Sequence, residues 1–362
     1  MLVATGCNTL PIGEDGLGRI PATDSIRLSA DSSAGIAGYA VLGDADTMFL
    51  GGNSQYLSRV LIKFTLPDSA LDSLVRAQLV LHPVDSARMA FVCHPCSVDW
   101  RANAATWRVA DSATQWLNPG GDYFAVELCR DTLNGDSLVI EIGLDLMPKL
   151  IRESYGIILL PLDTGFARLS SGFTLATAPR FRLYWGKEQA AKNTQTINAI
   201  EDAHIVDTVG INVSPGYQGI GSGFAFRTWL RFDLDSIPPE ATIARAELRF
   251  TPAVEYARGD TAPIAVRRLL DPFRRHGRSP SYANAPSGRL QYAVKPESAV
   301  VAAIDVSRLV QYWTAHPDSN FGLLLVAEPE WSDFFRLRVP NSGPAAPQLR
   351  VLYALPPTGR LW

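Results

Sequence analysis

The chain has 362 residues, 47% of them hydrophobic and 19% charged, with a formal net charge of -3. That length exceeds what one hydrophobic core usually spans and predicts two domains, while the composition excludes a disordered chain. The charge balance gives no electrostatic reason to expect nucleic acid, and the basic residues are mostly Arg.

Residues 1–21 read as a polar tail that opens Leu2-Val3-Ala4-Thr5-Gly6-Cys7. Small residues before a Cys resemble the end of a bacterial lipoprotein signal, yet too little precedes Cys7 for a charged region and a full apolar region. Either the start codon is placed late and Cys7 carries a lipid, or Cys7 is a plain thiol. No apolar run of about 18 residues follows, so a lipid anchor is the only membrane attachment expected.

Residues 22–186 form the first predicted domain, and its elements alternate with period two. In Arg59-Val60-Leu61-Ile62-Lys63-Phe64, Val60, Ile62 and Phe64 share one face and Arg59, Leu61 and Lys63 the other. In Arg76 to Leu81, Ala77, Leu79 and Leu81 oppose Arg76 and Gln78. One face is predicted as core and the other as wet. Cys93-His94-Pro95-Cys96 follows; a CxxC alone lacks the four ligands of a zinc site and the βαβ setting of a redox motif. A structural disulfide, Cys93 or Cys96 with Cys129, is expected in an oxidising compartment. Trp100 to Trp107 is a tryptophan-bounded segment, and Tyr155 to Leu159 and Pro179 to Trp185 are further strands. Residues 187–199 are polar, lack alternation and are predicted as a linker.

Residues 200–362 repeat the pattern. Arg227 to Phe232 aligns with Arg59 to Phe64, Arg245 to Phe250 with Arg76 to Leu81, Phe321 to Leu325 with Tyr155 to Leu159, and Pro347 to Tyr353 with Pro179 to Trp185. The unchanged order and near-constant spacing mark a duplication. Half-buried strands between Pro, Gly, Asn and Asp loops predict an all-β fold, two tandem antiparallel β-sandwich (jelly-roll-like) domains. Helical periodicity is limited to a short turn at Val306 to Trp313. The run Gly219 to Gly223 lacks the Lys of a phosphate loop and reads as a flexible loop.

Arg227 to Leu234 (R-T-W-L-R-F-D-L), Ile243 to Phe250, Asp305 to Trp313 (D-V-S-R-L-V-Q-Y-W), Phe321-Gly322 and Pro347 to Tyr353 resemble the motifs of the DNRLRE domain family. The first copy adds Trp100 to Trp107 but departs at Thr65 and at Gly143 to Ile151; the second carries Asp271 to Arg275 where the tryptophan segment would lie. The resemblance implies a jelly-roll-like sandwich of secreted and surface proteins, in some cases a carbohydrate-binding module.

The five histidines, His82, His94, His204, His276 and His316, share no ligand spacing, and no nucleophile elbow is present, so no catalytic residue or cofactor is assigned. Asp233 and Asp235 share a solvent face at a strand end. Asp24 and Glu201-Asp202, the acidic starts of the copies, are the place where a structural calcium could sit. The basic residues Arg267, Arg268, Arg274, Arg275 and Arg278 lack the interleaved aromatics of a base-stacking surface. Trp229 stands out, because alternation puts it outward between Arg227 and Arg231, and its counterpart Leu61 is outward too. The face meets a sugar, a protein or an adjoining loop. The expected protein is non-catalytic, extracellular or on the bacterial surface, and binds copies of itself, with Ser25 to Ala30 pairing along a neighbour's sheet edge. The alternative is a surface-tethered carbohydrate-binding protein using Trp229 or Trp100 and Trp107.

Overall fold

The computed structural model describes residues 23–43, 45–71, 73–186, 193–209, 217–274, 280–294 and 300–356. The tail with Cys7, the stretch 187–192, Arg275, His276, Arg278 and Trp362 lie outside the described residues.

The strands of the first repeat are β1 (Thr23–Ser29), β2 (Ser32–Tyr39), β3 (Thr47–Gly52), β4 (Tyr56–Lys63), β5 (Leu74–Leu81), β6 (Met89–Pro95), β7 (Cys129–Leu133), β8 (Leu138–Ile142), β9 (Ile157–Pro161), β10 (Gly165–Ser170) and β11 (Arg180–Trp185). Those of the second are β12 (Asn193–Asn198), β13 (Glu201–Thr208), β14 (Gly219–Ser222), β15 (Phe224–Arg231), β16 (Thr242–Phe250), β17 (Ala253–Ala257), β18 (Thr261–Arg268), β19 (Gly288–Ala293), β20 (Ala302–Asp305), β21 (Leu323–Ala327), β22 (Phe335–Arg338) and β23 (Gln348–Ala354). Two helices, α1 (Met147–Arg152) and α2 (Ser307–Ala315), occupy matching places in the two repeats.

The expected all-β sandwich class holds. In the first sandwich the sheet β12-β11-β5-β8 faces the sheet β10-β3-β4-β9-β6-β7, to which β13 adds by pairing with β4. Leu79, Phe91, Leu159 and Phe181 fill the space between them. In the second, β1-β23-β16-β20 faces β17-β22-β14-β15-β21-β18-β19, with β2 added on β15, around Leu230, Phe250, Trp313 and Leu349.

Strand pairing divides the chain differently from the repeat. β12 pairs with β11 and β13 with β4, so both initial strands of the second repeat lie in the first sandwich. The corresponding strands of the first repeat cross the molecule: β1 pairs with β23, Thr23 opposite Ala354, and β2 pairs with β15, Tyr39 opposite Phe224. The N-terminal strands therefore complete the C-terminal sandwich, where Ile26 and Leu28 pack on its core. Gly35 makes β2 fit, since a Cβ there would sit 1.4 Å from the Tyr217 carbonyl oxygen. Between the sandwiches Phe334 packs against Phe49, Tyr56 and Phe166 at ring separations of 4.9, 5.3 and 4.6 Å.

Four sequence expectations change. The predicted linker contains β12, an edge strand polar on both faces, so burial left no alternation to read. Gly219 to Ser222 is a buried strand, whose glycines admit Phe226 and Tyr217 at close range. The predicted turn at Val306 to Trp313 is the nine-residue α2, carried by buried Leu309, Val310 and Trp313 on one stripe. Gly143 to Ile151, read as degenerate, keeps its helix because Met147 and Leu150 still bury.

Candidate functional site

The outward face of β4 is not wet. Leu61 is fully buried, together with Ala203 and Ile205 of β13, beneath a loop bearing Trp100, Trp107 and Trp116. Trp100 is 0% and Trp107 5% exposed, so neither is a sugar platform as built. Each ring is fixed by its polar edge or its face: Trp100 Nε1 donates to the Tyr155 carbonyl at 3.0 Å, Trp116 Nε1 to that of Thr106 at 2.8 Å, and the Arg59 guanidinium lies 4.8 Å above Trp107.

This cap grips β13 through charge. Lys63 Nζ donates to Asp99 Oδ1 at 2.8 Å and to the Trp100 carbonyl, lies 3.5 Å from Glu201 Oε1, and sits 4.9 Å over the Trp100 ring. Glu201 also accepts from Arg101 Nη1 at 2.9 Å and from the Ala102 amide at 2.8 Å. The Glu201 carboxylate, expected near a calcium, is thus engaged by cations and an amide. Asp202 accepts from the Gly172 amide at 2.6 Å, and burial pushes its carboxyl up to about 6. Asp24 accepts from the Ser25 amide and from Tyr353 Oη. Among the described residues no group of three His, Cys, Asp or Glu side chains is placed to hold a metal.

In the second sandwich Trp229 is half-buried. Phe273 stacks on it at 4.5 Å with 16° between planes, and Nε1 donates to the Phe321 carbonyl at 3.0 Å. The outward ring is covered by an adjoining loop, one of the three coverings the sequence allows. Arg227 is held by Glu330 through two hydrogen bonds of 2.7 and 2.8 Å, and Arg231 lies 3.8 Å from Asp31, just ahead of β2. Arg231 and Lys63 occupy equivalent repeat positions, so both sandwiches hold the entry to an added strand with a cation on the strand it joins. Of the basic cluster, Arg267 pairs with Glu328 at 2.7 Å and Arg268 lies over Tyr312. Asp233 and Asp235 are exposed at a turn where the Asp235 amide donates to Asp233.

β1 and β12 each stand at one end of a sheet, with β20 and β8 at the opposite ends. Beside β1, a groove of about 190 Å³ is lined by Ser25, Arg27, Arg245, Glu247, Arg350 and Leu352. Arg27 and Arg350 are direct register partners there, and Arg350 Nε is buried without a hydrogen-bond partner. Like charges placed opposite each other in a sheet repel. Sequence reasoning missed this groove because its residues come from three distant strands.

Cys93, Cys96 and Cys129, the cysteines among the described residues, are unbridged in the structure. Cys93 and Cys129 face each other across β6 and β7, and Cys96 lies under the tryptophan cap.

Fold and surfaces define the class: an all-β protein of two sandwiches, closed on itself by its first two strands. No family model and no curated protein matches the chain. Among solved structures it is similar to a protein of Parabacteroides distasonis ATCC 8503, provisionally named a secreted protein, at 9% identity and a TM-score of 0.20, over 92% of this chain and 89% of that one. A likeness of that size carries no argument, and the DNRLRE resemblance rests on its motifs alone.

Proposed function

We propose that this is a non-catalytic extracellular structural or adhesive protein whose copies join through the β1–β2 segment. The observation that carries this reading is the closure itself: β1 and β2 complete a sandwich built from the far end of the chain. The same strands entering the second sandwich of a neighbouring copy would make the same contacts. Donor and acceptor sites differ, so exchange in one direction generates an open head-to-tail chain, while reciprocal exchange between two copies closes a dimer. The free edges of β1 and β12 favour association further, since β12 is an exposed six-residue edge without a single charge. Light scattering across concentration, with negative-stain microscopy, tests the reading. Filaments or ladders of oligomers are expected; uniform monomers at every concentration would refute it.

A second reading, binding of surface glycans, draws on the groove beside β1. Unpaired Arg27 and Arg350 suit an acidic sugar, whereas the buried tryptophans give no platform. Glycan-array binding lost in both Arg27→Ala and Arg350→Ala would favour it.

A further inference from the structure

The three cysteines among the described residues differ in which side of the first sandwich they face. Cys93 and Cys129 are register partners in the antiparallel pair β6–β7, and both pack on the inter-sheet core. Directly opposed residues in such a pair have Cα separations of about 4.5–5.5 Å, inside the roughly 4.4–6.8 Å window of a disulfide. Cys96 lies three residues further along, in a bridge with Tyr123, and points through the sheet to the opposite face among Leu61, Trp100 and Ile158. An odd spacing along a strand puts the two side chains of the CxxC on opposite faces.

We propose that Cys93 and Cys129 form a disulfide that locks the tryptophan cap onto β13, leaving Cys96 as a thiol. The loop between the two residues carries Asp99, Trp100, Arg101, Ala102, Trp107 and Trp116, the residues that cover Leu61 and hold Lys63 and Glu201. Joining its ends restricts the open ensemble of that loop and so stabilises the seat of β13. The chemistry is exchange with a small-molecule disulfide such as oxidised glutathione. The half-buried Cys129 thiolate attacks it and releases one glutathione thiol; the Cys93 thiolate then attacks Cys129 Sγ and releases the second. Two protein thiols are oxidised, one glutathione disulfide is reduced to two thiols, and the two protons pass to them. Burial pushes the Cys93 and Cys96 thiols up, so the reaction belongs to folding rather than to the finished sandwich.

The test does not depend on assembly. The full chain is refolded with oxidised and reduced glutathione and mapped by mass spectrometry after alkylation. Expected are a peptide containing Cys93 linked to one containing Cys129, Cys96 alkylated only after unfolding, and a melting temperature about 5 °C above that of the reduced protein. Cys96→Ser keeps the link and Cys129→Ser abolishes it. A link that includes Cys96, a link of Cys129 or Cys93 to Cys7, glutathione on Cys129 alone, or Cys93, Cys96 and Cys129 all free after oxidative refolding would overturn the proposal.

Discussion

The Tyr39 hydroxyl donates to Asp207 Oδ1 at 3.1 Å across 168 residues of sequence, joining the end of β2 to β13 where the two sandwiches meet. Arg108 of the tryptophan cap donates to the same hydroxyl at 3.1 Å. A strand that closes the second sandwich is thereby tied to one that completes the first. Tyr39→Phe keeps the ring against Phe224 and loses both bonds, so a loss of about 1 kcal/mol in urea denaturation is expected. No loss would show that the junction does not couple the strands.

Glu201 anchors the start of β13 with about a fifth of its side chain exposed, opposite a Lys63 that is a tenth exposed. Removing it leaves Lys63 with Asp99 as its one carboxylate partner, half of whose surface is in water. Glu201→Ala is expected to cost about 3 kcal/mol and to expose the cap, seen as new proteolytic cuts between Asp99 and Trp116. Arg76→Ala breaks an ion pair exposed on both sides and should cost a fraction of that.

His204 is fully buried on β13, edge-on to Phe49, with neither ring nitrogen hydrogen-bonded, and burial lowers its pKa to about 3. Its neutral form is favoured in the fold, so the stability it contributes is present above its unfolded value near 6.5 and is lost as pH falls from there towards 3. Asp202, raised to about 6, acts oppositely: its contribution is present below its unfolded value of 3.8 and is lost as pH rises through 6. Asp202→Asn should therefore stabilise the protein at pH 7 and lose that advantage below pH 4. His204→Leu should flatten the decline between pH 6.5 and 4. Unfolding midpoints measured from pH 4 to 8 check both signs.

Trp229 fills a contact with Phe273, so Trp229→Ala is expected to lower stability by about 2 kcal/mol and to leave glycan binding unchanged. Binding lost at unchanged stability would restore the ring as a platform.

Period-two alternation made most core strands legible, as did Leu61 and Trp229, apolar in the outward phase and covered as that phase demanded. What covers them was not legible, because Trp100, Trp107, Trp116 and Phe273 sit in loops whose burial follows no period. β12 escaped notice for the opposite reason: an edge strand with polar residues on both faces has no pattern to show. The closure was hidden because pairing Thr23 with Ala354 depends on which edges are free, a property of the assembled sheets and not of either segment.

Cross-linking the closure tests the account most directly. In a Cys7→Ser, Cys129→Ser background, Thr23→Cys and Ala354→Cys place thiols on register partners of β1 and β23. Oxidation is predicted to give cross-linked monomers in dilute solution and a ladder of covalent oligomers in assembled material. Cross-links confined to monomers at every concentration would contradict joining of copies through the first two strands.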